Sequence, residues 1–111
     1  MKATNESNYM GKMPYTSERW RECGIWIATE RGPRYTTAQV IGACAVHEVY
    51  TSNGHLDYYA ITHIPTGRYI RGYGAETFAR WDAEALVPVA KALNTESVKR
   101  ARHVVGEVIG E

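Results

Sequence analysis

The segment CAVHEVYTSNGHLDYYAITHIPTGRYIRGY, residues 44–73, carries two strong turn signals, each flanked by residues that favour extended backbone. Asn53-Gly54 suits a two-residue hairpin turn, whose central positions both need positive φ. Pro65 presets φ for a first turn position, and Gly67 supplies a left-handed residue, so Pro65-Thr66-Gly67 reads as a three-residue hairpin loop with a bulge. Between these signals the β-branched and aromatic content is that of strands. Three antiparallel strands in a meander follow from local chemistry alone.

The two turns also set an expected register. It pairs Ser52 with His55, Val49 with Tyr58 and His47 with Ala60, then Ile64 with Arg68, Thr62 with Ile70 and Ala60 with Gly72. Because side chains alternate along strands, this register sorts them into two faces. One collects Ala45, His47, Val49, Leu56, Tyr58, Ala60, Thr62, Ile64, Ile70 and Gly72. It is the more aliphatic, and Ala60 and Gly72 leave room for a close helix, so it is expected to form the core beneath helices. The other collects Cys44, Val46, Glu48, Tyr50, Asp57, Tyr59, Ile61, His63, Tyr69, Arg71 and Tyr73. Tyrosine joins a large contact area to a polar tip and few rotatable bonds, which suits recognition. Tyr50, Tyr59, Tyr69 and Tyr73, with His63, Glu48 and Arg71, are therefore the candidate partner-binding residues. Cover for this face by Trp20 and Trp26 or by a second copy of the chain is the competing reading.

Upstream, Trp20, Cys23, Ile27 and Glu30 have helical spacing with Ser17 as a cap. GIWIATE, RGPR and YTTAQV read instead as strand, turn, strand, and the composition favours strands. Downstream of Gly74 the period changes. Phe78, Ala85, Val89 and Leu93, with Trp81 and Ala92 beside them, form one helical stripe behind Thr77 as N-cap. Pro88 must kink or divide that helix. Asn94 or Thr95 opens a last helix that shares Val98, Ala101, Val105 and Ile109 on one face. The expected fold is α+β: an antiparallel meander of three to five strands with two C-terminal helices packed on one face. Residues 1–14 are expected to be a flexible polar tail and residues 15–111 a single domain.

A chain of 111 residues with 44% hydrophobic and 23% charged residues can bury a core. Its formal net charge is +1, and splitting it after His55 leaves both halves close to neutral. Long-range attraction to nucleic acid and mimicry of DNA by a polyanionic surface are both disfavoured, so any electrostatic function must be local. Cys23 and Cys44 have no metal-ligand or C-x-x-C spacing and read as reduced thiols. The first residues lack the apolar run of a signal peptide, and no stretch reaches the roughly 20 apolar residues of a membrane span. A cytoplasmic setting without membrane partners is expected.

Catalytic signatures are missing: there is no H-E-x-x-H, G-x-S-x-G or phosphate-binding loop. The expected register puts His47 and His63 on opposite faces, which blocks a shared metal site. No catalytic residue, metal or cofactor is expected. His63, Tyr69 and Arg71 lie close enough in that register for acid–base work on a small substrate, as an alternative. A second alternative is nucleic-acid binding by exposed tyrosines with Arg68, Arg71, Arg80, Lys99, Arg100 and Arg102, His103 lying beside the last three.

The unit YAITHIPTGRYI, with its T-H-x-P-T-G core and the alanine-rich helix after it, resembles hairpin-plus-helix units of small phage and prophage accessory proteins over residues 56–93. The resemblance implies a context in which such proteins, anti-CRISPR inhibitors among them, block a host complex. It carries no functional residues with it. The expected function is thus a non-enzymatic binding module that occludes a surface of a host protein or ribonucleoprotein, with a homodimer possible and nucleic acid as the alternative partner.

Overall fold

Hairpin follows hairpin from the first described strand. The computed structural model describes residues 19–110, so the tail expected at 1–14 and the cap expected at Ser17 lie outside the described residues. Strands β1 (Arg21–Thr29), β2 (Gly32–Ile41), β3 (Cys44–Tyr50), β4 (Leu56–His63) and β5 (Arg68–Tyr73) form one antiparallel sheet in chain order. Helix α1 (Glu76–Ala85), a 3-10 turn (Val87–Val89) and helix α2 (Val98–Ile109) follow. The α+β meander with two C-terminal helices is therefore the fold, with five strands.

The new hairpins have local causes. Glu30 and Arg31 join Thr29 to Gly32, and the Thr29 hydroxyl caps the turn by donating to the Gly32 carbonyl at 2.6 Å. Gly42 takes φ +56 between the paired Ile41 and Cys44, as the first position of a tight Gly-X turn requires.

Both expected loops close differently, because a bulge follows each. The Thr51 N–H donates to the His55 carbonyl at 2.8 Å, and the Gly54 N–H donates back to the Thr51 carbonyl at 3.0 Å. Residues 52–54 are thus a three-residue loop with Gly54 at φ +82, and Tyr50 pairs with Leu56. A bulge between Val49 and Tyr50 restores the expected Val49–Tyr58 and His47–Ala60 pairs. In the second hairpin His63 pairs with Arg68 and Thr62 with Tyr69, closing a loop over 64–67 in which Gly67 takes φ +70. Ile70 is the extra residue there, and beyond it the expected Ala60–Gly72 pair is found. One extra residue reverses side-chain parity, so Tyr69 joins the face of Thr62 and Tyr58 rather than that of Tyr59 and Tyr73.

The helices cover the face opposite to the expected one. Cys44, Val46 and Ile61 are buried against Ala79, Ala83, Leu86, Leu93, Ala101, Val104 and Val105, with Tyr59, Ile70 and Tyr73 at the margin. The other face curls on itself. Ile25, Ala38, Val40, Ala45 and Ile64 form a second buried cluster inside the curl, and the Ala28 N–H reaches the Gly67 carbonyl at 2.7 Å, tying β1 to the β4–β5 loop. A sheet buried on both faces needs apolar residues at both parities, and CAVHEV and YAITHI supply them. Reading the more aliphatic parity as the only core parity was the error: Ala45 and Val46, like Ala60 and Ile61, are all buried.

Pro88 ends α1 at Leu86 and sits in the 3-10 turn, as its missing N–H dictates. The expected stripe is rotated: Ala79, Ala83 and Leu86 face inward, whereas Phe78 and Trp81 are 54% and 60% exposed. Ala75, not Thr77, is the N-cap of α1. Ser97 caps α2 by accepting from the Arg100 N–H at 3.1 Å.

Candidate functional site

The tyrosine surface expected from the sequence is divided among three places. Tyr59 and Tyr73 lie half-buried under the helices. The Tyr73 hydroxyl donates to the Asp82 carboxylate of α1 at 2.6 Å, and burial, with this carboxylate beside it, pushes the phenol far above its ordinary range. Tyr69 stands on the other face, edge to face with Tyr58 at 6.1 Å between ring centroids. Tyr50 is exposed at the end of β3 and donates to Glu48 at 2.9 Å.

His63 is a structural post. It is 1% exposed; its Nε2 meets the Leu93 carbonyl at 2.7 Å and its Nδ1 meets Thr66 Oγ1 at 2.8 Å. A carbonyl only accepts, so Nε2 carries the proton and the Thr66 hydroxyl donates to Nδ1. His47 is the mirror case. Its Nδ1–H donates to the Glu48 carbonyl at 3.2 Å, and its Nε2 accepts from Thr62 at 2.8 Å. Burial lowers the pKa of both imidazoles. With both ring nitrogens of His63 engaged and Tyr69 on the far face, the trio His63, Tyr69 and Arg71 does not converge on one point. Burial likewise pushes the Cys44 thiol up to about 12, which keeps it protonated. Among the described residues no three His, Cys, Asp or Glu side chains are grouped to hold a metal ion.

A different set of residues does converge. Lys99, Arg102, His103 and Gly106 recur at helical spacing along one side of α2; Arg71 of β5, opposite Ile61, looks toward that side, and the bulge brings Ile70 there as well. Together with Val105 and Glu107 they line a groove of about 580 Å³. Arg71 donates to the Gly110 carbonyl at the end of α2, and Arg102 donates to the Tyr69 carbonyl at 2.6 Å. These bonds cross-link β5 to α2 and hold both guanidiniums in place. Their acceptors are neutral carbonyls, so these bonds themselves cancel neither charge. Among the described residues the one carboxylate lining the groove is Glu107, which pairs loosely with His103 at 3.7 Å, both side chains being largely exposed.

Of the six basic residues singled out from the sequence, Arg71, Lys99 and Arg102 are brought together here. Arg68 opens β5 but does not line the groove, and Arg100 lies on another side of α2. Arg80 is engaged elsewhere, paired with Glu76 at 3.0 Å and stacked over Trp20 at 4.7 Å. Arg71 lies opposite Ile61, on the face the expected register gives it; what the sequence does not announce is that the helices cover that face. Spacing alone shows that Lys99, Arg102, His103 and Gly106 share a helix side. It does not show that this side looks onto β5.

Comparison with protein-family models, with curated proteins and with solved structures finds no match for this chain.

Proposed function

We propose that the chain is a non-enzymatic binding module whose groove between β5 and α2 holds the phosphate backbone of a single-stranded nucleic acid. One observation carries the reading: Arg71, Lys99, Arg102 and His103, from two elements, meet along an open groove that has a single carboxylate among the described residues. Cations fixed side by side repel one another, and an anion bound between them relieves that repulsion. Arginine's planar fork matches a phosphate, and both guanidiniums keep free N–H donors beyond their carbonyl bonds. The near-neutral whole chain limits the attraction to the patch itself.

Fluorescence anisotropy with short labelled single-stranded DNA and RNA tests this. Three strong cations on phosphates give a log–log salt slope of about −2, so raising salt fourfold weakens binding roughly 20-fold. Lys99→Glu and Arg102→Gln should each flatten that slope. Lys99 is exposed and makes no ion pair among the described residues, so its variant should melt like the parent. Absence of binding at low salt, or a slope indifferent to both substitutions, defeats the proposal.

A second reading rests on α1. Phe78 and Trp81 lie edge to face at 5.4 Å and are both exposed. An exposed aromatic pair is the type of anchor that protein interfaces use, and a phage-type inhibitor that occludes a host protein surface would dock through it. Under this reading, a Phe78→Ala, Trp81→Ala variant that melts normally no longer retains a protein captured from host lysate by the parent. Retention by the variant rules the pair out.

A further inference from the structure

β2 lies between β1 and β3 in the sheet, yet among the described residues it has only one neighbour for half its length. It pairs with β1 from Gly32 to Val40, but with β3 only through Gln39–Val46, Val40–Ala45 and Ile41–Cys44. Beyond Gln39 and Val46 the two strands diverge. A cleft of about 270 Å³ opens where they part and extends over β2 to Ile27 and Thr29 of β1, with Arg34, Thr36 and Thr37 on the β2 wall and His47, Glu48 and Tyr50 on the β3 wall.

Parity identifies the backbone groups that face this cleft. In an antiparallel ladder, hydrogen-bonded pairs recur at every second residue, starting from the pair that closes a tight turn. Thr29–Gly32 closes the first turn, so Arg34, Thr36 and Ala38 bond to β1. Ile41–Cys44 closes the second, so Gln39 bonds to Val46. Tyr35 and Thr37 therefore direct their N–H and C=O groups into the cleft, where no strand among the described residues receives them. Pro33 has the same parity. Proline occurs in strands where its absent N–H is not required, as on an edge, and its place in β2 fits an edge here. Arg34 adds a charge to this wall: among the described residues its side chain has no hydrogen-bond or ion-pair partner.

We propose that this cleft is a strand-accepting slot, in which an extended peptide carrying an acidic side chain pairs with β2 over 33–37. A row of unpaired alternating donors and acceptors is complementary to another extended backbone. The free row spans about 13 Å at 3.3 Å per residue, which admits four or five peptide residues. Arg34 meets the acidic side chain, and the wall bearing His47 and Tyr50 limits what the peptide carries on its other edge. This site is distinct from the basic groove and does not depend on it.

Selection from a displayed library of random linear twelve-residue peptides against the full chain tests the slot. The expected winners are extended, apolar–polar alternating sequences with a conserved Asp or Glu. The best of these, made synthetically, is then N-methylated one amide at a time. Pairing with β2 predicts a period-two pattern, with alternate methyl groups weakening binding about tenfold or more and the intervening ones sparing it. Arg34→Glu, a change at an exposed side chain, should move selection from acidic to basic peptides. Failure to enrich any peptide, N-methyl effects without the period, or an unchanged preference for acidic peptides with Arg34→Glu each overturns the proposal.

Discussion

At the residue scale, the two buried histidines show how much depends on which ring nitrogen holds the proton. His63 joins the sheet to the Leu93 carbonyl, and His47 joins β3 to Thr62; each does so as a neutral ring with both nitrogens satisfied. Burial lowers the native pKa of both, whereas a denatured histidine titrates near 6.5. Below about pH 6.5 the denatured chain therefore takes up protons that the native chain refuses, and stability falls with falling pH. The melting temperature should be level above about pH 7 and decline as pH drops through 6.5, and His63→Gln should lessen that decline. A scan of melting temperature against pH checks this; an unchanged acid limb in the variant would show that His63 is not its source. Tyr73 gives a second test. Tyr73→Phe strips the half-buried Asp82 carboxylate of its 2.6 Å donor and should cost about 1–2 kcal/mol in urea unfolding.

At the element scale, turn chemistry was legible and parity was not. Asn53-Gly54 and Pro65-Thr66-Gly67 announced two hairpins, both present, and Pro88 announced the end of α1. The bulges at Tyr50 and Ile70 were hidden, because a bulge arises from how a strand must bend over its neighbours, and no local residue type encodes it here. Tyr69 consequently lies on the other face, and Ile70 joins Arg71 on the face toward α2. The face beneath the helices was misread for a related reason: a sheet covered by helices on one side and by its own curl on the other is apolar at both parities, so alternation carries no sign. In α1 the small residues Ala79 and Ala83 face inward because the helix lies close on the sheet, which leaves the bulky Phe78 and Trp81 outside. The α2 face was legible, but its cap was not, since Asn94, Thr95 and Ser97 all qualify by type. Ser97→Ala should lower stability by about 1 kcal/mol, while Thr95→Ala should have a smaller effect, both measured by thermal melting.

At the scale of the whole molecule, two buried clusters lie back to back across one sheet. Ile61 belongs to the cluster beneath the helices and Ile25 to the one inside the curl, both fully buried. Truncation of either to alanine should cost about 2–5 kcal/mol. Because β2 and β3 line both clusters, each variant should still unfold in one transition, with a lower urea midpoint and an unchanged slope. Two separate transitions for Ile25→Ala would mean that the curl opens on its own.

The bond from Ala28 to Gly67 bears on the order of assembly. β1 leaves the ribosome first, but the carbonyl that secures its outer edge belongs to a loop made about 40 residues later, so that closure carries a chain-entropy cost. Until β4 and β5 have paired, the β1–β2 hairpin has nowhere to anchor that edge. Its docking is thus a late event of folding, and a truncated nascent chain ending before Gly67 would present β1 as an open, sticky border.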